Sequence, residues 1–169
     1  MTDRPLRRDY WRWELERRFV LPRLPDGVDA AAFTRLRDLF VAGTKLRLRQ
    51  VEAPDGRVLI AKLGQKRADP DAPADPRRRQ LTTIYMTPDE AEVLIGLPGR
   101  RSCKRRYQLV EDGRTWAIDV WEAPEARRGL VMAEIECASD AELAAVVVPP
   151  WAGREVTEDA GFSAFALAQ

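Results

Sequence analysis

Alternation of polar and apolar residues runs through most of the chain and predicts β-strands. The first alternating stretch extends from Trp13 to Val20. It places Glu14, Glu16 and Arg18 on one face, with mainly apolar residues on the other. The same pattern recurs further along, and Asp-Gly pairs typical of tight turns separate some of the segments. The further predicted strands are Lys45 to Arg49, Arg57 to Lys62, Leu81 to Met86, Ser102 to Val110, Arg114 to Glu122 and Gly129 to Cys137.

Helical spacing and capping signals predict short helices between the strands. Residues 29–42 carry apolar side chains at helical spacing, and Gly43 is suited to end a helix there. Two capping boxes, Thr87 to Glu90 and Ser139 to Glu142, each predict the start of a helix. A short apolar helix is expected at 164–168. Residues 65–80 are polar and contain three prolines, which predicts a flexible loop.

About eight strand segments in hairpins, with three or four short helices, indicate an α+β protein. We expect one curved or closed antiparallel sheet, with the helices packed on its outer side. With 169 residues, 45% of them hydrophobic, the chain is long enough for one domain, spanning 1–169, with a real core.

The amino-acid composition limits which ligands and metal ions the protein is suited to bind. The 28 basic and 27 acidic residues nearly balance, which argues against a net-cationic nucleic-acid binder. The sequence contains no histidine, so carboxylates must hold any metal, and they favour Mg²⁺, Mn²⁺ or Ca²⁺ over zinc. The two cysteines, Cys103 and Cys137, lack CxxC spacing and predict reduced, buried thiols.

Targeting signals are not visible in the sequence. Residues 1–8 are basic but lead into no apolar segment of a signal peptide, and no apolar run approaches the roughly 18–20 residues of a membrane span. We therefore expect a cytoplasmic protein without a membrane partner, as a monomer or homodimer.

The polar faces of the predicted strands sort by the sign of their charge. Each strand taken alone fits an ordinary solvated face of an antiparallel sheet. However, like charges placed together destabilise such a face, and here single-sign pairs recur. The set comprises the acidic Glu14, Glu16, Asp119, Glu134 and Glu136 and the basic Arg47, Arg49, Lys62, Lys104 and Arg106.

If helices cover the apolar faces and the sheet closes, these charges line an interior. Unpaired charges in such an interior are costly, so the arrangement favours a bound polyanion with divalent cations. Basic side chains would then bind phosphate oxygens, and carboxylates would hold the metal.

Several motifs resemble those of CYTH domains, the triphosphate tunnel metalloenzymes. Residues 14–19 look like the family's N-terminal ExExK signature, and 129–136 match its GLvlaEvE segment almost residue for residue. Residues 45–49 resemble its R-x-R strand, 102–107 its K-x-R-Y strand, 117–121 its acidic strand, and 151–157 its C-terminal w.G.EVT motif. The motifs occur in the family's order and span nearly the whole chain.

The resemblance implies a closed eight-stranded antiparallel tunnel, open through both ends, that binds triphosphates. By the family's pattern, Mg²⁺ or Mn²⁺ would be held by Glu14, Glu16, Glu134 and Glu136, with Asp119 contributing directly or through water. The phosphates would be bound by Arg47, Arg49, Lys62, Lys104 and Arg106. The implied activity is metal-dependent hydrolysis of a linear triphosphate, above all inorganic tripolyphosphate.

Two departures from the family pattern leave alternatives open. Arg18 replaces the signature's final lysine, and arginine cannot act as a base at neutral pH, although it could stabilise charge on the phosphate. Ala117 stands where many relatives carry a glutamate. The alternatives are a non-catalytic binder of triphosphate or polyphosphate, a thiamine triphosphatase, and a class IV adenylyl cyclase acting on a nucleoside triphosphate.

Overall fold

The computed structural model describes residues 10–169, so the basic N-terminal stretch 1–8 lies outside the described residues. Three short α-helices occur within this range: α1 (Pro88–Ile95), α2 (Asp140–Ala144) and α3 (Ala164–Leu167). The strands are β1 (Arg12–Leu21), β2 (Thr34–Val41), β3 (Leu46–Glu52), β4 (Val58–Ala68), β5 (Arg78–Met86), β6 (Gly99–Glu111), β7 (Arg114–Ala123), β8 (Val131–Cys137) and β9 (Arg154–Glu155). None of these helices is long and apolar enough to cross a membrane.

Strands β1 to β8 form a closed barrel. Their order is β5-β4-β3-β2-β6-β7-β8-β1, and an additional pairing of β1 with β5 closes the circle. Every pairing is antiparallel, and the short β9 adds to β1 from outside the circle. The predicted closed eight-stranded antiparallel barrel is therefore confirmed.

Alternation along the strands decides which side chains face out of the barrel and which face in. On β1, Leu15 and Phe19 are buried in a core outside the barrel wall, together with Ile118 of β7 and Ile135 of β8. A second core packs Ala91 of α1 against strands β2, β3 and β4. Because the apolar faces are covered from outside, the charged faces turn inward.

The predicted helix over 29–42 is wrong, because residues 34–41 form strand β2. Leu39 of β2 packs in the core beneath α1, while Leu36 and Asp38 on its other face are also buried. Apolar residues therefore occur on both faces and imitate helical spacing. Gly43 has a positive φ of 72°, but it serves the turn between β2 and β3.

The predicted flexible loop over 65–80 is too long. Strand β4 extends to Ala68 and β5 begins at Arg78, so only 69–77 connect them. The strand ends here carry polar side chains, which conceal the strand pattern in the sequence.

The capping predictions at α1 and α2 differ in outcome. At α1 the box is complete: Thr87 accepts from the Glu90 amide, and Glu90 accepts from the Thr87 amide. At α2, Ser139 accepts from the Glu142 amide, but the Glu142 carboxylate accepts from the amide of Ala138. The helix predicted at 164–168 forms as α3. Both cysteines are free thiols; Cys137 is buried as predicted, whereas Cys103 is partly exposed.

Residues 156–169, called here the C-terminal segment, pack into one part of the barrel. Leu167 and Val156 form a buried cluster with Trp121 of β7 and Met132 of β8. The backbone of Gln169 also pairs with that of Arg101, with N···O distances of 2.5 and 3.1 Å. The chain thus ends tightly packed against strands that line the barrel interior.

Candidate active site

A cavity of about 800 Å³ lies inside the barrel. Acidic residues of β1 and β8 and basic residues of β3, β4 and β6 line it, and the C-terminal segment contributes Ser163, Ala164 and Phe165. The charged residues among its lining are Glu14, Glu16, Arg18, Lys45, Arg47, Arg49, Lys66, Arg79, Lys104, Arg106, Glu134 and Glu136.

A second cavity, of about 810 Å³, lies beside β1, α2 and β9. Its two arginines are neutralised by neighbouring acids: Arg17 binds Glu155 at 2.7 Å, and Arg77 binds Asp75 at 2.9 Å. Since no excess of basic groups remains there, the interior of the barrel is the better candidate for an anion site.

Four glutamates form one acidic wall of the interior cavity. Glu14 and Glu16 lie on β1, and Glu134 and Glu136 lie on the neighbouring β8. The register places Glu16 directly opposite Glu136 and Arg18 opposite Glu134. Opposed residues on antiparallel strands have Cβ atoms about 4.5–5.5 Å apart. The structure therefore brings the two predicted acidic pairs side by side, although about 120 residues separate them in the chain.

Two of the predicted phosphate-binding residues, Arg47 and Lys62, form no ion pair with any described side chain. Lys62 lies opposite Arg49 in the register of β3 and β4. Burial lowers the pKa of Lys62, and the nearby Arg49 and Arg47 lower it further. Burial and Arg49 likewise lower the pKa of Arg47. Arg47 and Lys62 thus place positive charge near Arg49 without an ion-pair partner of their own among the described residues, although Lys62 itself lies just outside the cavity lining.

Lys104 and Arg106 are held in place by Asp119. Arg106 binds both carboxylate oxygens of Asp119 at 2.7 Å and reaches Glu134 at 2.6 Å, and the Lys104 ammonium contacts the same aspartate. Asp119 is completely buried and does not line the cavity. The structure therefore places the predicted metal ligand Asp119 behind the two basic side chains, where it anchors them.

Asp38 performs the same task for Arg49, and sequence reasoning missed it. The guanidinium of Arg49 binds both oxygens of Asp38 at 2.7 Å, and both residues are buried. Burial alone raises the pKa of Asp38, but Arg49 and Arg47 outweigh it and hold the pKa well below its usual range. Assignment of 29–42 to a helix concealed this partner; a strand reading would have placed Asp38 on the inward face.

Each of the four glutamates already has a basic partner. Lys66 contacts Glu14 and lies 3.6 Å from Glu16, whose other oxygen is 3.8 Å from Arg18. Glu134 binds Arg106, and Glu136 binds Arg12 at 2.7 Å. Burial raises the pKa of Glu134, yet Lys104, Arg106 and Lys66 hold it well below its usual range. Lys66 and Arg12 were not predicted; Lys66 fell in the supposed flexible loop.

The donor set of the acidic wall suits a hard divalent cation. Oxygen ligands are what Mg²⁺ and Mn²⁺ prefer, and the buried Oε2 of Glu14 contacts the Lys66 ammonium without accepting a well-formed hydrogen bond from the described residues. Within 10–169, however, no three acidic or thiol side chains are close enough together to hold a metal ion. Glu14, Glu16, Glu134 and Glu136 therefore fit a metal chemically, but they must leave their basic partners to bind one.

Arg18 lines the cavity, but its guanidinium is directed toward the C-terminal segment. Its two terminal nitrogens donate to the carbonyl oxygens of Thr157 and Phe162, each at 2.9 Å, and its amide donates to the Thr157 hydroxyl. These contacts make Arg18 an anchor for that segment. Ala117 lies opposite Glu134 in the ladder of β7 and β8 and adds no carboxylate to the wall.

A scan against models of known protein families finds no match. The inorganic triphosphatase of Nitrosomonas europaea is 31% identical over 158 residues, which cover 92% of this chain and 96% of the relative. Two solved structures of the protein NE1496, one of them described as an inorganic triphosphatase, match with TM-scores of 0.59 and 0.60. Their identities are 28% and 29%, and each match covers 92% of this chain and 97% of the solved chain. The chain therefore belongs to the family of the Nitrosomonas europaea inorganic triphosphatase.

Proposed function

We propose that this protein is a metal-dependent hydrolase of linear triphosphates, with inorganic tripolyphosphate as its main substrate. The observation that carries the proposal is the interior cavity, in which a wall of four glutamates accompanies basic residues that include Arg47, which pairs with no described acid. The name of the 31% identical relative supports the choice of substrate. The sequence motifs and the closed eight-stranded barrel together support assignment to the CYTH domains.

Phosphate binding is the task of the basic residues. Arg47 and Lys62 lack acidic partners among the described residues, so phosphate oxygens would supply the counter-charge that the protein does not. Lys104, Arg106 and Arg49 are fixed by Asp119 and Asp38, so they can present nitrogen donors without reorganising. Such preorganised charge stabilises the charge spread over a transferring phosphoryl group.

The acidic wall would hold the metal through Glu14, Glu16, Glu134 and Glu136. When bound, Mg²⁺ or Mn²⁺ would neutralise phosphate oxygens and lower the pKa of a coordinated water. Arg18 cannot accept a proton at neutral pH, and its terminal nitrogens are occupied by backbone carbonyls. Its contribution is to position strand β1 against the C-terminal segment, close to the acidic wall.

The proposal is tested by phosphate release from tripolyphosphate with Mg²⁺, Mn²⁺ or Ca²⁺, alongside thiamine triphosphate, ATP and long-chain polyphosphate. Wild-type protein should release phosphate from tripolyphosphate fastest and only with metal. The double substitution Glu134→Gln and Glu136→Gln should lower turnover by about two orders of magnitude or more, since it removes half of the acidic wall. Glu92→Gln, on the exposed side of α1, is the matched control and should be active. Metal-independent release, or equal rates for the double variant and the control, would refute the proposal.

A second candidate is a triphosphate-binding protein without turnover. The engagement of Arg18 with the C-terminal segment and the absence of a carboxylate at Ala117 favour it. Calorimetry distinguishes the two: tripolyphosphate that binds tightly and is recovered intact in the presence of every metal would select the binder.

A further inference from the structure

Lys66 occupies an unusual position between the acidic residues of β1. Its ammonium contacts Glu14 and lies 3.6 Å from Glu16, and it is the only described basic group paired with both. The two carboxylates are nearly buried, with 10% and 15% of their side-chain surfaces exposed, whereas the Lys66 side chain is 33% exposed. Lys66 therefore reaches from the cavity into the acidic wall.

Residues two apart on one strand face are separated by roughly 6.5–7 Å, so the carboxylates of Glu14 and Glu16 repel each other unless a cation lies between them. Lys66 supplies that cation by means of a compact charge on a flexible stem. The ammonium consequently holds the position in which a divalent cation would bridge the same two carboxylates.

Exchange of this ammonium for a metal ion requires only one side chain to move. The Lys66 side chain is one-third exposed, and a lysine ammonium sits on a flexible four-carbon stem. Lys66 lines the same cavity as Lys45, Arg47 and Arg79, so an ammonium released from β1 joins like charges and requires a polyanion as counter-charge. A polyanion in the cavity would attract it away from β1.

We propose that Lys66 is an internal counter-ion of Glu14 and Glu16 that competes with the divalent cation and, once displaced, binds the triphosphate. The second half of this inference rests on the proposed function, whereas the first half concerns the carboxylates alone. Metal binding frees Lys66 for the phosphates, and phosphate binding removes Lys66 from the carboxylates. Because such coupling is reciprocal, each ligand should strengthen the binding of the other.

The competition is tested by titrating metal-free protein with Mn²⁺, without triphosphate, and following free Mn²⁺ by electron paramagnetic resonance. Lys66→Met should bind Mn²⁺ about tenfold more tightly than wild type. Lys45→Met is the matched control, since it removes the same charge from the same cavity and Lys45 pairs with no described acid. It should change the affinity by less than about threefold, reflecting long-range electrostatics alone. Lys66→Arg keeps a competing charge and should stay close to wild type.

Equal Mn²⁺ affinities for Lys66→Met and wild type would overturn the inference, as would equal gains for Lys66→Met and Lys45→Met. Circular dichroism of each variant shows whether it is folded. The Mn²⁺ titration does not depend on turnover, so its outcome is separate from the assay of the proposed function.

The transfer to phosphate is tested by calorimetry with tripolyphosphate and no metal. Glu14→Gln removes one of the two carboxylates that pair with Lys66, which leaves the ammonium more available to phosphate. The variant should therefore bind tripolyphosphate about fivefold or more tightly than wild type. Adding Lys66→Met to Glu14→Gln should abolish that gain, whereas adding Lys45→Met should leave most of it. A gain that survives removal of Lys66 would show that simple loss of negative charge is responsible and would refute the transfer.

Discussion

At the scale of single residues, the barrel interior contains two kinds of basic side chain. Arg49, Lys104 and Arg106 are fixed by buried aspartates, whereas Arg47 has no acidic partner among the described residues. Removing one partner of a buried ion pair leaves an uncompensated charge, so the paired residues are costly to change. Arg47 instead lowers the free energy of unfolding of the ligand-free protein, and its charge becomes stabilising when an anion binds.

This difference predicts opposite effects of Arg47→Met on stability and on binding. Without ligand, the variant should be more stable than wild type by about 1 kcal/mol, because it loses a partly desolvated charge next to Arg49. With tripolyphosphate, it should lose most of the ligand-dependent rise in Tm that wild type shows. Urea denaturation and thermal scans measure the two effects.

The exposed Arg57, on the turn before β4, offers the control substitution Arg57→Met. It should leave the free energy of unfolding within about 0.5 kcal/mol of wild type and should preserve the ligand-dependent rise in Tm. If Arg47→Met lowers stability without ligand and preserves the ligand effect, Arg47 is a structural residue and not an anion ligand.

At the scale of elements, the C-terminal segment and strand β1 form one unit. The guanidinium of Arg18 holds two carbonyls of the segment, and the amide of Val156 donates to the carbonyl of Arg18 at 2.8 Å. Ser163 and Phe165 of the same segment line the cavity. Whatever loosens the segment therefore also changes the shape of the site.

We expect Arg18→Lys to loosen the C-terminal segment. A lysine ammonium cannot span both carbonyls as the planar guanidinium does, so the variant should lose about 1.5–3 kcal/mol, the range for hydrogen bonds to a charged group. Hydrogen exchange of amides in 156–169 should accelerate relative to β3 and β4, which lie elsewhere in the barrel.

Arg12→Lys is the control for this change, since Arg12 is an exposed residue of the same strand that pairs with Glu136. It should not affect exchange in the C-terminal segment. Unchanged exchange in Arg18→Lys would show that packing of Leu167 and Val156, and not Arg18, holds the segment.

Strand β2 shows where sequence reasoning at the element scale reached its limit. Its apolar residues serve two purposes: Leu39 packs beneath α1, and Leu36 is buried on the inward side. A strand buried on both faces lacks clean alternation, and its spacing was compatible with a helix. Strands with one charged and one mainly apolar face, such as β1 and β8, were recognised because polarity alternates along them, even though β1 has buried residues on both faces.

At the scale of the whole molecule, buried carboxylates link folding to pH. Asp38 and Glu134 have pKa values well below their usual range, because in each case basic neighbours outweigh the opposing effect of burial. In the unfolded chain these groups titrate near 3.9 and 4.3. Below those values the unfolded state binds more protons than the folded state, so stability falls as the pH decreases.

The free energy of unfolding should therefore decline steadily from about pH 5 downward, and Asp38→Asn should reduce the slope of that decline. The free energy of unfolding of Asp38→Asn will also be lower than that of wild type, because Arg49 loses its partner. The slope against pH is therefore the informative quantity. Urea denaturation between pH 3 and 7 measures it. Asp112→Asn, at an exposed turn, should retain the wild-type slope. Equal slopes for Asp38→Asn and wild type would contradict the assigned role of Asp38.

The sequence by itself determined which faces of most strands are charged, and the resemblance of its motifs to a known family predicted the closed barrel. The eleven candidate residues lie on or just behind its inner wall. Alternation is a local property that one strand expresses without its neighbours. Only the tertiary structure decided how those charges are paired: Asp38 with Arg49, Asp119 with Lys104 and Arg106, and Lys66 with Glu14 and Glu16. Pairing depends on strand register and barrel closure, which join residues far apart in the chain, and no local pattern carries that information.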